Sequence, residues 1–354
     1  MDTRLLRNRP AYTLDRETAP AMWLVGTLWQ IQATGIQTNN RCSFLEQVMP
    51  GGLGPPTHRH PLSIEGFYVV EGTMNFHVDG KIIRAEAGTL VHLPRMIPHT
   101  FTVTSEETRV LNWYAPAGNE IQVISLARPA EERRRPTMEE GPAPKSDEFN
   151  QIVSRLYGSV AVTALPFSVP PGEELLVTQP GVWCAGTLKI ARAKDGPLFE
   201  AFGLTWRLLA AGSETEDDYD LFEVVAAPQA GMPPRILGAD EAIYVLEGSI
   251  SLESNGEATT AKVGAFSYVP AGTMLRWQAS EDARLLAFHF PGGFDRALAG
   301  SRGQDALAAA WLEARGTRFL EALPLDTKGL DGSTPEGVLP ATAAPALSCE
   351  RNSS

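Results

Sequence analysis

One plan of turns occurs twice in this chain, and that repeat constrains the fold more than any single segment does. Glu71-Gly72 and Glu247-Gly248 stand 176 positions apart. At the same offset Tyr68 meets Tyr244, Gly80 meets Gly256, Ala85 meets Ala261, Gly88 meets Gly264 and Pro94 meets Pro270. Gly54-Pro55-Pro56 has its counterpart in Gly231-Met232-Pro233-Pro234 on a slightly shorter loop. Glycine supplies positive φ and proline locks φ, so both mark where a chain reverses. Their agreement over about 90 residues means a shared strand plan, one β unit used twice. With Gly 32 and Pro 27 in 354 residues, short strands and frequent turns are expected throughout.

The strand signals fall in two blocks, over about residues 20–128 and 178–295. Between them, 129–145 carries Glu131-Glu132-Arg133-Arg134-Arg135-Pro136 and Gly141-Pro142-Ala143-Pro144, which predicts an exposed linker. Phe149, Ile152, Val153 and Leu156 recur at helical spacing, predicting a short amphipathic helix over 147–157 that ends at Gly158. Leu307, Ala310, Trp311, Ala314, Phe319 and Leu320 predict a terminal helix over 305–323, broken near Gly316, and a loose tail from Pro324. The expected division is a first barrel over 1–128, a linker with a short helix over 129–160, a second barrel over 161–300, and a helix with tail over 301–354.

Composition narrows the function. Lys+Arg 30 against Asp+Glu 42 gives a net charge of −12, which argues against nucleic acid as a partner. Cys42, Cys184 and Cys349 are odd in number and far apart, so neither a disulfide framework nor a Cys-rich zinc site is expected. The amino terminus has no signal-peptide core and no stretch approaches a membrane span, so the expectation is a soluble cytoplasmic protein without a membrane partner.

The chemistry is concentrated in the first repeat. Of six histidines, only His289 lies outside it; the others are His58, His60, His77, His92 and His99. His58-Arg59-His60-Pro61-Leu62-Ser63-Ile64-Glu65 is followed, after Gly88 and Pro94, by Pro98-His99. In extended chain, residues i and i+2 share a face, so His58 and His60 can both face a barrel interior. Glu65 opens the next strand beside them, and His99 can supply a fourth ligand. Three neutral imidazoles and one carboxylate suit one divalent transition metal ion, with Fe, Mn, Co, Ni and Cu all admissible, and leave coordination positions open for catalysis. His77 is expected on an exposed strand face, His92 in a structural role, and His289 as a satisfied core histidine. An aromatic-lined substrate cavity is expected from Phe67 and Phe101, each two residues beyond a ligand, with Met49, Thr57, Trp113 and Tyr114 as further candidates. Trp23 and Trp29 either form a lid or pack the first strands.

These two motifs resemble those of the cupin superfamily, and the double copy resembles a bicupin. Within bicupins the chain is similar to the quercetin 2,3-dioxygenase (flavonol 2,4-dioxygenase) family over about residues 20–295. The resemblance implies a mainly all-β chain of two double-stranded β-helix (jelly-roll) barrels, with a few short helices in the linker and carboxyl terminus. It implies His58, His60, Glu65 and His99 as metal ligands, with Glu65 as the catalytic base. It further implies a small aromatic substrate and O2 as partners, and cleavage of a flavonol with release of carbon monoxide and a depside. A homodimer is the candidate assembly. The second repeat departs from the pattern: 233–241 has no histidine, Leu275 stands at the offset of His99, and only Glu241 remains in place of Glu65. That half is expected to be structural, with Glu241 paired to Arg235 or Arg276. Two other readings stay open: a metal-dependent cupin isomerase, cyclase or dioxygenase acting on another phenolic or enolic substrate, and a non-enzymatic binding bicupin.

Overall fold

The computed structural model describes residues 10–78, 81–137, 139–141, 146–156, 159–162, 188–192 and 195–320. The turn plan becomes two β-barrels, each made of a large and a small sheet. In the first, Ser43–Pro50, Glu107–Ala115, Ile64–Glu71 and Leu90–Leu93 lie side by side in an eight-stranded sheet. It faces a five-stranded sheet built on His99–Val103, Thr73–Val78 and Lys81–Glu86. The second repeats the order with Asp220–Ala226, Ala283–Phe290, Asp240–Glu247 and Phe266–Val269 in a seven-stranded sheet. Opposite it, Gly231–Ile236, Met274–Ala279, Ser249–Ser254 and Glu257–Lys262 form most of another five-stranded sheet.

Burial follows from this layering. Thr73–Val78 alternates, with Met74, Phe76 and Val78 inside and His77 half-buried on the outer face. Ile64–Tyr68, by contrast, is buried at every residue. One face of its sheet lines the first barrel and the other packs on the second barrel. Phe44, Tyr68, Trp113, Tyr219, Tyr244, Phe266 and Phe288 belong to one apolar core that joins the two. Phe44 and Trp113 each meet the Phe288 ring at 5.0 Å, edge to face, an arrangement that favours aromatic pairs.

Gly66 is required by this joint. A Cβ there would stand 2.1 Å from Cε2 of Trp113, a fully buried ring with nowhere to retreat. Gly66→Ala is therefore expected to destabilise the fold by about 1–3 kcal/mol through overpacking. A urea-melt midpoint equal to that of the parent would show that the two barrels can shift apart to admit a methyl group.

The joint also carries two reciprocal polar clusters. Glu46, fully buried in the first barrel, accepts from the Tyr244 hydroxyl of the second at 2.6 Å, and from Arg16 and Arg109 at 3.0 and 2.5 Å. Glu223, in the second barrel, accepts from the Tyr68 hydroxyl of the first at 3.1 Å and from Arg284 at 3.2 Å. Tyr68 and Tyr244 are the pair found at the repeat offset, so each barrel lends its tyrosine to the other's carboxylate. Burial, reinforced by the adjacent carboxylate, pushes both phenols well above their ordinary range. The edges are exchanged in the same reciprocal way. Tyr12–Leu14, ahead of the first barrel, pairs with Phe266–Val269 of the second. Lys189–Ala191, ahead of the second, pairs with Leu90–Leu93 of the first.

Several local expectations change in detail. The linker helix spans Asp147–Leu156 and buries only Val153, while Tyr157 and Gly158 lie outside the described residues. The linker before it is exposed but tied down. Arg133 donates to the Ala19 carbonyl at 2.8 Å, and the fully buried Trp23 donates its indole N–H to the Arg134 carbonyl at 2.8 Å. Trp23 therefore packs beneath a strap and is no lid. Trp29 donates to the Leu24 carbonyl within its own hairpin. The terminal helix is shorter than expected, spanning Asp305–Glu313. Gly316 turns the chain at φ +94°, and Arg318–Phe319 is a strand on the edge of Gly231–Ile236. The expected tail lies outside the described residues, as do Cys184 and Cys349, while Cys42 is a buried thiol. Among the described residues the single helical turn Gly35–Thr38 and two longer helices, Asn119–Leu126 and Phe294–Ser301, escape the sequence pattern. Each of the two longer ones follows the last barrel strand of its repeat and starts behind a glycine, Gly118 at φ +142° and Gly293 at +138°.

Candidate metal centre

His58 lies in the short strand His58–Arg59, which pairs with the start of His99–Val103 so that His58 and His99 are direct partners. His60 follows just beyond, and Glu65 enters from Ile64–Glu71 in the opposite sheet. One ligand atom from each of His58, His60, Glu65 and His99 falls within 4.8 Å of all the others. His60, Glu65 and His99 are buried, and His58 is partly open.

The surroundings dictate which atoms face the centre. Nδ1 of His58 donates to the Pro56 carbonyl and Nδ1 of His99 to the Ile97 carbonyl, both at 2.9 Å. A ring nitrogen held this way carries its hydrogen, which leaves Nε2 with a lone pair for a metal. Glu65 is divided similarly. Its Oε1 accepts from the Tyr114 hydroxyl at 2.5 Å and from Asn112 Nδ2 at 3.1 Å. Its Oε2 stands 2.9 Å from Nε2 of His99 and 3.1 Å from Nε2 of His60. Gln47 donates to Asn112 Oδ1 at 2.9 Å and so fixes the amide that holds the carboxylate. Three imidazoles and one carboxylate, with His58, His99 and Glu65 oriented by second partners, are the donor set a divalent transition ion takes.

The electrostatics agree with that donor set. Burial works to raise the Glu65 carboxyl, but His60 and His99 hold it well below the usual carboxylate range. Burial, with His99 beside it, pushes His58 down to about 4, so its imidazole is neutral at physiological pH. Burial and the Glu65 charge push the Tyr114 phenol well up, keeping it a donor.

The remaining candidate residues separate by face. Phe67, Phe101 and Met49 lie in one buried cluster of the first barrel with Phe76, and the Phe67 and Phe101 rings meet at 5.6 Å. Thr57 precedes His58 and is half-buried, with its carbonyl accepting from the Val162 amide. Tyr114 touches the site directly, as a donor to Glu65. Trp113 does not line this barrel. Strand neighbours point to opposite faces, so with Asn112 and Tyr114 turned to Glu65, Trp113 turns to the second barrel. Asn112 escaped the sequence reading; its signal was its place two residues before Tyr114 on the same face. His92 is buried, with Nδ1 2.9 Å from the Tyr219 hydroxyl across the joint, and burial pushes it down to about 3.

The second barrel has an ion pair where the first has its cluster. Arg235 pairs in register with Leu275, as His58 does with His99. Its guanidinium meets Glu241 Oε2 at 2.6 Å with both side chains buried. Arg276 is on the exposed face of its strand. His289 is held by Asp220, Nδ1 to Oδ1 at 2.7 Å. Asp220 Oδ2 also accepts the amides of Gly293, Phe294 and Asp295. Burial and the neighbouring Asp220 charge push the Asp295 carboxyl up to about 6. A raised carboxyl favours folding while protonated and loses that contribution as pH rises through its folded value. Asp295→Asn should therefore raise the melting temperature by a few degrees at pH 8 and leave it unchanged below about pH 4. A pH-independent difference in calorimetry would mean that Asp295 does not titrate in this range.

A jelly-roll barrel used twice, with a three-histidine, one-carboxylate cluster in its first copy, resembles a bicupin. Residues 44–114 match the family described as Cupin domain, and the chain is a two-barrel protein that resembles quercetin 2,3-dioxygenase. The Bacillus subtilis (strain 168) quercetin 2,3-dioxygenase is 21% identical over 300 residues, spanning 80% of this chain and 86% of that protein. Among solved structures, Bacillus subtilis oxalate decarboxylase at pH 4.6 superposes with a TM-score of 0.51 at 14% identity, over 79% of this chain and 76% of that one. Protein Ylba from E. coli superposes at 0.52 with 11% identity, over 83% and 98%. These two share the fold. No helix among the described residues is long and apolar enough to cross a membrane.

Proposed function

We propose that the chain is a metal-dependent dioxygenase that opens the heterocycle of a flavonol with O2, releasing carbon monoxide and a depside. The observation that supports this reading is the His58, His60, Glu65 and His99 cluster, with the outer nitrogens of His58 and His99 tied to backbone carbonyls, in a chain similar to a quercetin dioxygenase over most of its length. Fe, Mn, Co, Ni and Cu all suit these donors. When bound, such an ion supplies Lewis acidity that makes a flavonol 3-hydroxyl easier to ionise.

The protein supplies position and proton traffic. Glu65 Oε2 faces the cluster while Tyr114 and Asn112 occupy Oε1, so the hydroxyl proton passes to Oε2. Phe67, Phe101 and Met49 give the barrel interior an apolar character suited to a flat aromatic substrate and hostile to water.

The test is anaerobic addition of a flavonol panel to metal-quantified protein, followed by oxygen. A spectral shift on binding, then O2 uptake with matched release of CO, is expected. Absence of a shift with every flavonol, at full metal content, would transfer the site to another phenolic or enolic substrate.

A further inference from the structure

We propose that the second barrel holds a separate binding site for a small hydroxyaryl carboxylate, with the ligand's hydroxyl on His289 Nε2 and its carboxylate on Arg315. The site is a cavity of about 260 Å³ at the position that the metal cluster occupies in the first barrel. Its buried end is made by His289 and the Arg235–Glu241 pair, and Arg315 stands exposed at its open end.

The polar groups at the buried end select the ligand. His289 is 5% exposed, and its Nε2 has no hydrogen-bond partner among the described residues. Asp220 holds the hydrogen on Nδ1, so in that tautomer Nε2 is the ring's acceptor, on a residue that lines the cavity. Leaving a buried acceptor unmade costs about 1–3 kcal/mol, which a donor from a ligand would recover. The His289 ring stacks on Phe294 at 4.1 Å and 9°, so its direction is fixed before any ligand arrives. Arg235 is already neutralised by Glu241 and presents no net charge for an anion. A hydroxyl suits this end, and a carboxylate does not.

The open end selects the opposite chemistry. The Arg315 side chain donates to the Gly292 carbonyl at 3.0 Å and, among the described residues, meets no carboxylate. Between the two ends the walls are Leu237, Phe294 and Leu312, which ask for an apolar body. The volume admits a single aromatic ring with its substituents.

Isothermal titration of the full chain with 4-hydroxybenzoate, benzoate and phenol separates the two contacts. We expect 4-hydroxybenzoate to bind one per chain with Kd below about 1 mM, and the other two at least about tenfold more weakly. Arg315→Gln should weaken 4-hydroxybenzoate and benzoate about tenfold and leave phenol unchanged. His289→Phe should reduce 4-hydroxybenzoate to the level of benzoate. His99→Ala, which alters only the first barrel, should bind all three as the parent does. Equal affinity for the three probes, loss of binding in His99→Ala, or no heat with any probe at about 10 mM would overturn the proposal. If His289→Phe fails to fold, the three probes and Arg315→Gln, at an exposed position, still decide it.

Discussion

Replacing His99 by alanine is expected to remove bound metal and turnover together while leaving the first barrel folded. His99 gives one of four donors, and its Nδ1 is already committed to the Ile97 carbonyl, so no other residue can take over its direction. Loss of an outer-shell partner alone costs about 10–100-fold in metal affinity, and loss of a donor should exceed that. Metal per chain, measured after dialysis, should fall from near one to near zero, with flavonol-dependent O2 uptake falling in proportion. Normal metal content together with normal turnover would remove His99 from the site. Glu65→Gln is the companion variant. It keeps the shape of the side chain that Asn112 and Tyr114 hold but removes the acceptor charge, so turnover should fall far more than the melting temperature.

The second large effect belongs to the barrel with the ion pair. Arg235→Met would leave Glu241 buried and uncompensated, and breaking a buried pair from one side costs about 3–5 kcal/mol. Replacing both, as Arg235→Met with Glu241→Leu, should return stability to within about 1 kcal/mol of the parent, because neither charge then has to be desolvated. Urea denaturation of the parent, the single and the double variant measures both differences. A single variant as stable as the parent would mean that Glu241 is neutral or reaches water in the folded protein.

The contrast between these two sites shows what the sequence made legible. The cluster of His58, His60, Glu65 and His99 could be read because alternation and short loops place such residues on one face. Arg235 was harder. It occupies the register place of His58 although it stands 177 positions beyond it, and the general offset of 176 falls on Pro234. The shorter loop moves the correspondence by one residue, which only the strand pairing reveals. Asn112, Trp113 and Tyr114 are adjacent in sequence and split between two surfaces. That assignment depends on which face of the strand meets the second barrel, a non-local fact. The terminal helix stops at Glu313 for a similar reason. Its apolar pattern continues, but Arg318–Phe319 finds a strand edge to complete beside Arg235–Ile236.

The exchanged edge strands have a consequence for how such a protein can be divided. Cutting between the barrels would strip Tyr12–Leu14 from the edge it protects in the second and Lys189–Ala191 from the edge it protects in the first. Each fragment would then expose a row of unpaired amides and carbonyls, which invites pairing with another chain. Each would also expose one half of the aromatic joint and strand a tyrosine from the carboxylate it serves. The two halves are therefore expected to unfold together, each barrel completing its neighbour whether or not it carries a metal cluster.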